Sequence, residues 1–209
     1  SESLYGNRGD DIIEGMGGND LILGGRDDDR LDGNDGDDVV SGNLGNDLVR
    51  GGAGNDVLVG GKDSDLLIGG LDNDTLSGDF GADALKGDAG SDVFRLRRDN
   101  TSTLAELNAA EGDADMIIDF NAAEGDRIAL SDGLTEADLI FFPVVNQPVP
   151  ISEEILEGLE IAEIPLSTLD PEGDGLINAT LIGVVGTTDF IGAALNVTAA
   201  DLSGNFVSG

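Results

Sequence analysis

The 209-residue chain contains no cysteine, no histidine and no tryptophan. Without cysteine it has no disulfide, so an extracellular form needs another stabilising cross-link. Without histidine or cysteine, the usual serine triads, cysteine nucleophiles and histidine-ligated zinc sites are excluded. One tyrosine and seven phenylalanines are too few to favour a cleft lined with aromatic side chains. A carboxylate pair for glycoside hydrolysis stays open as an alternative, because any acidic chain supplies candidates.

Positive charge is also scarce. Ten lysines and arginines oppose 43 aspartates and glutamates, which gives a formal net charge of −33. This balance argues against binding to nucleic acid or to an anionic membrane surface. No run approaches the roughly 20 apolar residues of a membrane span. The first residues, Ser1–Tyr5, include neither Met nor a signal-peptide pattern, so we expect a mature piece, such as the end of a longer protein.

Glycine and aspartate, by contrast, recur with a fixed period of nine residues from Gly6 to Arg95. Position one of the repeat is always glycine, position six is always aspartate and position eight is always apolar, in ten copies without insertion or deletion. The clearest copy is Gly51–Val59. The copies begin at Gly6, Gly15, Gly24, Gly33, Gly42, Gly51, Gly60, Gly69, Gly78 and Gly87. Such a fixed period indicates a repeat architecture.

Each repeat divides into a turn and a strand. The first six residues are rich in Gly, Asn and Asp, which favour a tight turn, and the last three carry aliphatic residues, which favour a short strand. Because side chains alternate along a strand, position eight points one way and positions seven and nine point the other. Position eight then forms the core. One repeat alone buries too little apolar surface to offset its backbone ordering, but stacked repeats share a core.

The turns also bring many carboxylates close together, which is unfavourable without a counter-ion. A hard divalent cation resolves the repulsion. Calcium takes 6–8 oxygen ligands at about 2.3–2.6 Å from carboxylates and backbone carbonyls, and glycine-rich turns expose such carbonyls. A single aspartate in a turn would more simply bond its own backbone, but ten in register favour metal binding.

The pattern Gly-Gly-x-Gly-x-Asp-x-apolar-x resembles the RTX calcium-binding nonapeptide of bacterial proteins exported by type I secretion. The resemblance implies an all-β fold, a parallel β-roll with two repeats per coil and about five coils, with turns alternating between two edges. It also implies that each ion lies between consecutive turns of one edge. One turn supplies the carbonyls of positions two and four with its aspartate. The next turn supplies the carbonyls of positions one and three with its aspartate.

Carried over to this chain, the resemblance gives up to about eight calcium ions, four along each edge. The implied carboxylate ligands are Asp11, Asp20, Asp29, Asp38, Asp47, Asp56, Asp65, Asp74, Asp83 and Asp92. The implied carbonyl ligands include Gly9, Gly18, Gly24, Gly33, Gly36, Gly42, Gly45, Gly51, Gly52, Gly54, Gly60, Gly61, Gly69 and Gly70. Position four is aspartate instead of glycine at Asp27, Asp63 and Asp72, and aspartate tolerates the left-handed conformation. Arg30 at position seven is acceptable because that position points outward.

The remainder, residues 96–209, is predicted to be a mostly β domain that caps the roll, which spans residues 6–95, while residues 1–5 form a partial repeat in phase with a strand. The predicted strands are Asp115–Phe120, Arg127–Leu130, Leu139–Phe142, Ala179–Val185 and Phe190–Val197. The predicted short helices are Leu104–Ala110, capped by Thr103, and 152–159 in the proline-richer stretch Pro143–Pro165. Residues 170–175 fit a turn better than an EF-hand loop, since the final glutamate is missing.

The segment Ile117-Ile118-Asp119-Phe120, followed by Gly125-Asp126-Arg127-Ile128, resembles the segment after the repeats in serralysin-type proteases and alginate epimerase R-modules. That resemblance implies a further calcium at Asp119 and Asp126 and a C-terminal secretion signal. The alternative is two carboxylates in a solvated turn between strands. Residues 139–178 match no segment of these families, so the cap differs there from theirs.

These observations predict a non-enzymatic calcium-binding module that is exported by a type I secretion apparatus and folds on meeting extracellular calcium. One alternative is an accessory module that binds polysaccharide. Another is a structural or adhesive cell-surface protein, since position seven is often apolar and leaves an outward stripe. A catalytic carboxylate site in the cap is a further alternative.

Overall fold

The computed structural model describes residues 1–97, 102–103, 114–131, 133–147, 177–184 and 189–208. In these ranges the chain is almost entirely β, with one 3-10 helix, Glu136–Asp138, and one α-helix, α1, Ala199–Leu202. The predicted helices 104–110 and 152–159 and the predicted turn 170–175 lie outside the described residues. No helix in the described ranges is long and apolar enough to cross a membrane.

Eleven strands follow one another through the repeats: β1 Ser3–Tyr5, β2 Ile12–Glu14, β3 Leu21–Arg26, β4 Arg30–Asp35, β5 Val39–Leu44, β6 Leu48–Ala53, β7 Val57–Lys62, β8 Leu66–Leu71, β9 Thr75–Phe80, β10 Ala84–Ala89 and β11 Val93–Leu96. Seven more follow: β12 Ser102–Thr103, β13 Asp115–Ile117, β14 Arg127–Leu130, β15 Leu139–Gln147, β16 Ile177–Val184, β17 Asp189–Leu195 and β18 Phe206–Ser208. The predicted strands of the second half are therefore found, with somewhat different ends.

Consecutive strands of the repeats go alternately to two sheets. Sheet A has the order β1-β3-β5-β7-β9-β11-β14-β18, and sheet B has the order β15-β16-β17-β13-β10-β8-β6-β4-β2, with β12 beside β17. Within the roll each strand pairs in parallel with the strand one coil later, so that Val39 lies beside Val57 and Leu48 beside Leu66. This is the predicted parallel β-roll of about five coils.

The strands are longer than the sequence pattern predicts. Strand β5, for example, has six residues and continues through positions one to three of the next repeat. The backbone keeps its pairing there, with Asn43 beside Gly61 and Leu44 beside Lys62. Glycine and asparagine at these positions are poor strand formers, but the neighbouring coil supplies their hydrogen bonds. Only positions four to six remain as the turn.

The core is the column of position-eight side chains. The nine from the second repeat onward have no exposed surface: Ile22, Leu31, Val40, Val49, Leu58, Leu67, Leu76, Leu85 and Phe94. Ile13, in the first coil, is partly buried against this column. The assignment of position eight to the core is confirmed.

The outward stripe at position seven differs between the two sheets. On sheet A, Val39 is 43% and Val57 40% exposed, whereas on sheet B, Leu48 is 6% and Leu66 2% exposed. The nine-residue pattern cannot distinguish the two faces, because both are built from the same repeat.

The cap continues both sheets. In sheet A, β14 pairs in parallel with β11, and β18 pairs in parallel with β14. In sheet B, β13 pairs in parallel with β10 and with β17. Phe120 lies 6.3 Å from the Phe94 ring, measured between centroids, so the core of the roll runs on into the cap.

Candidate metal centre

The ten position-six aspartates, here called the ladder aspartates, form two columns along the edges of the roll. From Asp11 to Asp74, the backbone N–H of each ladder aspartate donates a hydrogen bond to Oδ1 of the ladder aspartate one coil later. The N–O distance is 2.8 Å from Asp11 to Asp29 and 2.7 Å from Asp20 to Asp38. The same bond recurs at 2.7–2.9 Å through every later pair of both columns. Oδ1 therefore has a structural task that the repeat pattern did not reveal.

The second carboxylate oxygen, Oδ2, has no such partner. It is buried without a hydrogen bond in Asp11, Asp20, Asp29, Asp38, Asp47, Asp56, Asp65, Asp74 and Asp92. One buried carboxylate oxygen left unsatisfied costs on the order of 1–3 kcal/mol or more. The same oxygen, Oδ2, is unsatisfied in nine aspartates of the two columns. Its lack of a partner is therefore a regular feature of the repeat.

The unsatisfied oxygens face small spaces that only glycine leaves open. A Cβ built on Gly60 would lie 2.3 Å from Asp65 Oδ2 and 2.8 Å from the Gly78 carbonyl oxygen. A Cβ built on Gly24 would lie 2.4 Å from Asp29 Oδ2 and 2.9 Å from the Gly42 carbonyl. Each space therefore has a carboxylate oxygen of one turn and the position-one carbonyl of the next turn on its walls.

Carbonyls of positions two and four face the next coil as well. The Asn7 carbonyl oxygen is 2.5 Å from a Cβ built on Gly25, and the Asp27 carbonyl oxygen is 2.2 Å from one built on Gly45. Several of these carbonyls already accept backbone hydrogen bonds between coils, such as the 3.2 Å bond from Arg26 N to Asn7 O. A carbonyl oxygen has a second lone pair and can accept a further partner.

Burial and mutual repulsion raise the pKa of most ladder aspartates. Burial, followed by neighbouring carboxylates, raises the pKa of Asp65 to about 9. Burial is the first cause for the other ladder aspartates that shift, with the pKa of Asp47 and Asp74 raised to about 7 and that of Asp56 and Asp92 to about 6. The anionic form is thus disfavoured at these positions unless positive charge is added.

The residues present fit a calcium ion. Two carboxylates and several carbonyls converge on each space between consecutive turns of one edge, here called a gap and named by its two ladder aspartates, and all of these donors are oxygens. Among the described residues no three His, Cys, Asp or Glu side chains group closely enough to hold a metal. That agrees with sites built from two carboxylates and backbone oxygens.

The sequence profile of the RTX calcium-binding nonapeptide repeat (4 copies) matches residues 1–31, 32–67 and 59–94. The repeat region belongs to the RTX calcium-binding family. RTX repeats bind calcium, so the roll is a calcium-binding RTX module, and proteins with such repeats are typically secreted by bacteria.

One solved structure similar to the chain is the AlgE6R3 subunit of the Azotobacter vinelandii mannuronan C5-epimerase. The two sequences are 25% identical, and the match covers 95% of this chain and 77% of the AlgE6R3 chain. The TM-score is 0.26. At that TM-score the similarity carries no conclusion about this chain. No curated protein matches the chain significantly.

Asp126 and Asp119, predicted to hold a further ion, take different places. Asp126 extends a ladder, since its Oδ1 accepts the Asp92 N–H at 2.9 Å and its Oδ2 accepts the Asn121 N–H at 2.8 Å. Asp119 accepts the N–H groups of Gly87 and Asp88, both at 2.9 Å. Asp126 is only 2% exposed, so it does not lie in a solvated turn.

Asp115 is a related residue that the sequence analysis did not single out. It is the first residue of β13, one place before Met116, as Asp83 is one place before Ala84 of β10. Met116 N donates to Asp83 O at 2.8 Å, as Ala84 N donates to Asp65 O at 2.9 Å. Asp115 is 1% exposed. The signal was available, because Asp115-Met116-Ile117 repeats the order of positions six to eight after a long interruption.

Proposed function

We propose that the roll is a folding module in which calcium ions occupy the gaps between turns and complete the structure. The buried Oδ2 atoms without hydrogen-bond partners carry this proposal. In each gap, Oδ2 of the ladder aspartates and the carbonyls of positions one to four would hold the ion, which supplies positive charge and oxygen coordination. Four gaps along each edge give up to about eight ions. Asp119 and Asp126, beside Asp92, would hold one more at the cap.

Calcium binding on this scheme is coupled to folding. The ligands of one gap come from two turns 18 residues apart, as the bond between Asp47 N and Asp65 Oδ1 shows, so no gap exists in the unfolded chain. Binding free energy then becomes folding free energy. Extracellular calcium modules typically bind at about 10⁻⁴–10⁻³ M. Cytosolic calcium would therefore leave the chain unfolded, which suits export by a type I secretion apparatus and folding outside the cell.

The test is far-UV circular dichroism of the full chain during a calcium titration, with magnesium as the control ion. We expect a cooperative transition from coil to β-structure that calcium drives and magnesium does not. A chain that is fully folded in chelator and unchanged by calcium would contradict the proposal. The domain division at residues 5 and 95 is tested in the same way, by asking whether residues 1–97 alone undergo the transition.

Export is tested separately. Cells with a type I exporter should release the chain into the medium, and cells without it should retain the chain. Retention in both, with the chain intact, would remove secretion from the proposal without affecting calcium binding.

A second candidate function, binding of an acidic polysaccharide, is favoured by a groove on sheet A. The groove has a volume of about 620 Å³, and its lining includes Tyr5, Arg26, Lys62 and Phe80. Tyr5 is 57% and Phe80 45% exposed, and the Arg97 guanidinium lies 4.5 Å from the Phe80 ring centroid. Exposed cations beside aromatic rings suit a carboxylated sugar chain. On this reading the chain is a binding module and not an enzyme.

Short uronic acid oligomers provide the test, in calcium, by calorimetry. The double variant Arg26→Gln/Lys62→Gln should lose binding, and Arg30→Gln on sheet B should keep it. Equal binding by both variants, or none by the unaltered chain, would exclude this candidate.

A further inference from the structure

Three turns differ from the rest at position four, where aspartate replaces glycine. Asp27, Asp63 and Asp72 have φ of +74°, +78° and +74°, so each adopts the left-handed conformation. The turn is kept, and the replacement adds a carboxylate close to the gap.

The added carboxylates point to the gap on the N-terminal side of their own turn. Asp27 Oδ2 accepts the Gly9 N–H at 3.0 Å, which places it over the Asp11/Asp29 gap. The electrostatic effects agree: Asp27 contributes to the raised pKa of Asp29, and Asp63 to those of Asp47 and Asp65. Asp72 contributes in the same way at Asp56 and Asp74. Three gaps thus carry a carboxylate from position four, in addition to the exposed position-five aspartates Asp10, Asp28 and Asp37, which raise the pKa of nearby ladder aspartates in the same way.

The position of these aspartates is constrained by the coil that follows. A Cβ built on Gly45 would lie 2.2 Å from the Asp27 carbonyl oxygen, so position four of the next turn has no room for a side chain. Gly81 and Gly90 stand in the same relation to Asp63 and Asp72, where a Cβ would approach the carbonyl oxygen even more closely, to 1.7 Å in both cases. Along each edge, the turn that follows a position-four aspartate has glycine at position four.

We propose that the roll has two classes of calcium site, and that the Asp11/Asp29, Asp47/Asp65 and Asp56/Asp74 gaps hold their ions more tightly. This rests on the proposed function. A Cβ built on Gly6 would meet both Asp11 Oδ2 and the Gly24 carbonyl, and one built on Gly51 would meet both Asp56 Oδ2 and the Gly69 carbonyl, so buried Oδ2 atoms face these gaps. The position-four carboxylate is not a ligand; it acts through its charge, a few ångströms further out. An additional unit charge at about 7 Å from a divalent ion in a water-like dielectric strengthens binding roughly five- to tenfold.

Release of calcium from the loaded full chain, mixed rapidly with a fluorescent chelator, measures the two classes. We expect about three ions to leave in a phase roughly five- to tenfold slower than the rest. The variant Asp63→Asn keeps the size and the left-handed tolerance of the side chain and removes only its charge. It should transfer about one ion from the slow phase to the fast phase, and Asp72→Asn should do the same.

The matched control is Glu14→Gln, which removes the same charge from an exposed residue at the end of β2, at position nine of its repeat and outside the turns. It should leave the slow phase unchanged. Release of all ions in one phase from the unaltered chain would overturn the proposal, and so would an equal effect of Glu14→Gln and Asp63→Asn. If all calcium ions bind with one affinity, the two classes of site are excluded but the proposed folding function is not. If the chain binds no calcium, both proposals are excluded.

Discussion

At the scale of the residue, each ladder aspartate divides its two oxygens between two tasks. From Asp29 to Asp92, Oδ1 accepts a hydrogen bond from the backbone of the preceding coil, and on our proposal Oδ2 binds a cation. Position one is glycine in every repeat for a spatial reason, because the space beside Oδ2 has no room for a methyl group. The sequence predicts the glycine and the aspartate but not this division, which depends on the distance between coils.

Replacement of a position-one glycine tests this directly. Gly60→Ala should fill the Asp65/Asp83 gap with a methyl group, since its Cβ would lie 2.3 Å from Asp65 Oδ2. We expect one calcium ion fewer by equilibrium dialysis and a loss of stability of about 2 kcal/mol or more. The control is Gly17→Ala, whose nearest new contact is 3.8 Å. Equal calcium counts for the two variants would show that Gly60 is not beside an ion.

The raised pKa values predict a pH dependence in chelator. The pKa values of about 7 for Asp47 and Asp74 and about 9 for Asp65 lie above the unfolded value of about 3.9. A group of this kind contributes stability that is fully present below its unfolded pKa and is lost as the pH rises through its folded pKa. Without calcium, the folded fraction measured by circular dichroism should therefore be highest near pH 5 and fall towards pH 9.

With calcium the direction reverses, because the ion requires deprotonated ligands. Calorimetry in two buffers of different ionisation enthalpy should show proton release on binding at pH 6. A folded fraction in chelator that rises with pH would contradict the assignment.

At the scale of the element, the unit is the coil of two repeats. Its existence, its parallel register and its core follow from the nine-residue period. The six-residue length of a strand such as β5 does not follow, because glycine-rich positions join the ladder only when a neighbouring coil supplies partners. The different burial of Val57 and Leu66 at position seven also could not be predicted from identical repeats.

Removal of whole coils tests whether two position-four aspartates can follow one another along an edge. Deletion of residues 51–68 brings Gly81 over Gly45 and keeps glycine where it is needed, so the shortened roll should fold in calcium with two ions fewer. Deletion of residues 42–59 removes the same length but brings Asp63 over Asp27, where a Cβ lies 2.2 Å from a carbonyl oxygen at present. That variant should be less stable by about 2 kcal/mol or more, measured by thermal unfolding. Equal stability would show that adjacent turns relax.

At the scale of the whole molecule, the roll and the cap form continuous sheets, and Asp126 links them by accepting the Asp92 N–H. Resemblance to RTX proteins singled out Asp126 and Asp119, but their geometry differs from that of the repeats. Asp92 and Asp126 are consecutive members of one ladder but lie 34 residues apart in the sequence. No nine-residue period therefore predicts where the ladder resumes.

Asp126→Asn should weaken the closure of the last turn. We expect the calcium midpoint of folding to rise about two- to fivefold, equivalent to about 0.4–1 kcal/mol, because the amide keeps an oxygen that accepts the hydrogen bond but loses the charge. Glu124→Gln removes the same charge from an exposed neighbour and serves as the control. Equal midpoints for the two variants would mean that the cap does not depend on this aspartate.

The sheet A groove, with Arg26 and Lys62, lies on a molecule whose edges carry two rows of carboxylates. The Debye length is about 8 Å at physiological ionic strength, so an approaching polyanion senses the nearer edge together with the groove. Loaded with calcium, the edges lose much of their negative potential while the groove keeps its own. On the proposed scheme calcium therefore acts twice on this groove: it folds the sheet that forms the groove, and it weakens the repulsion that the two edges exert on an acidic polymer.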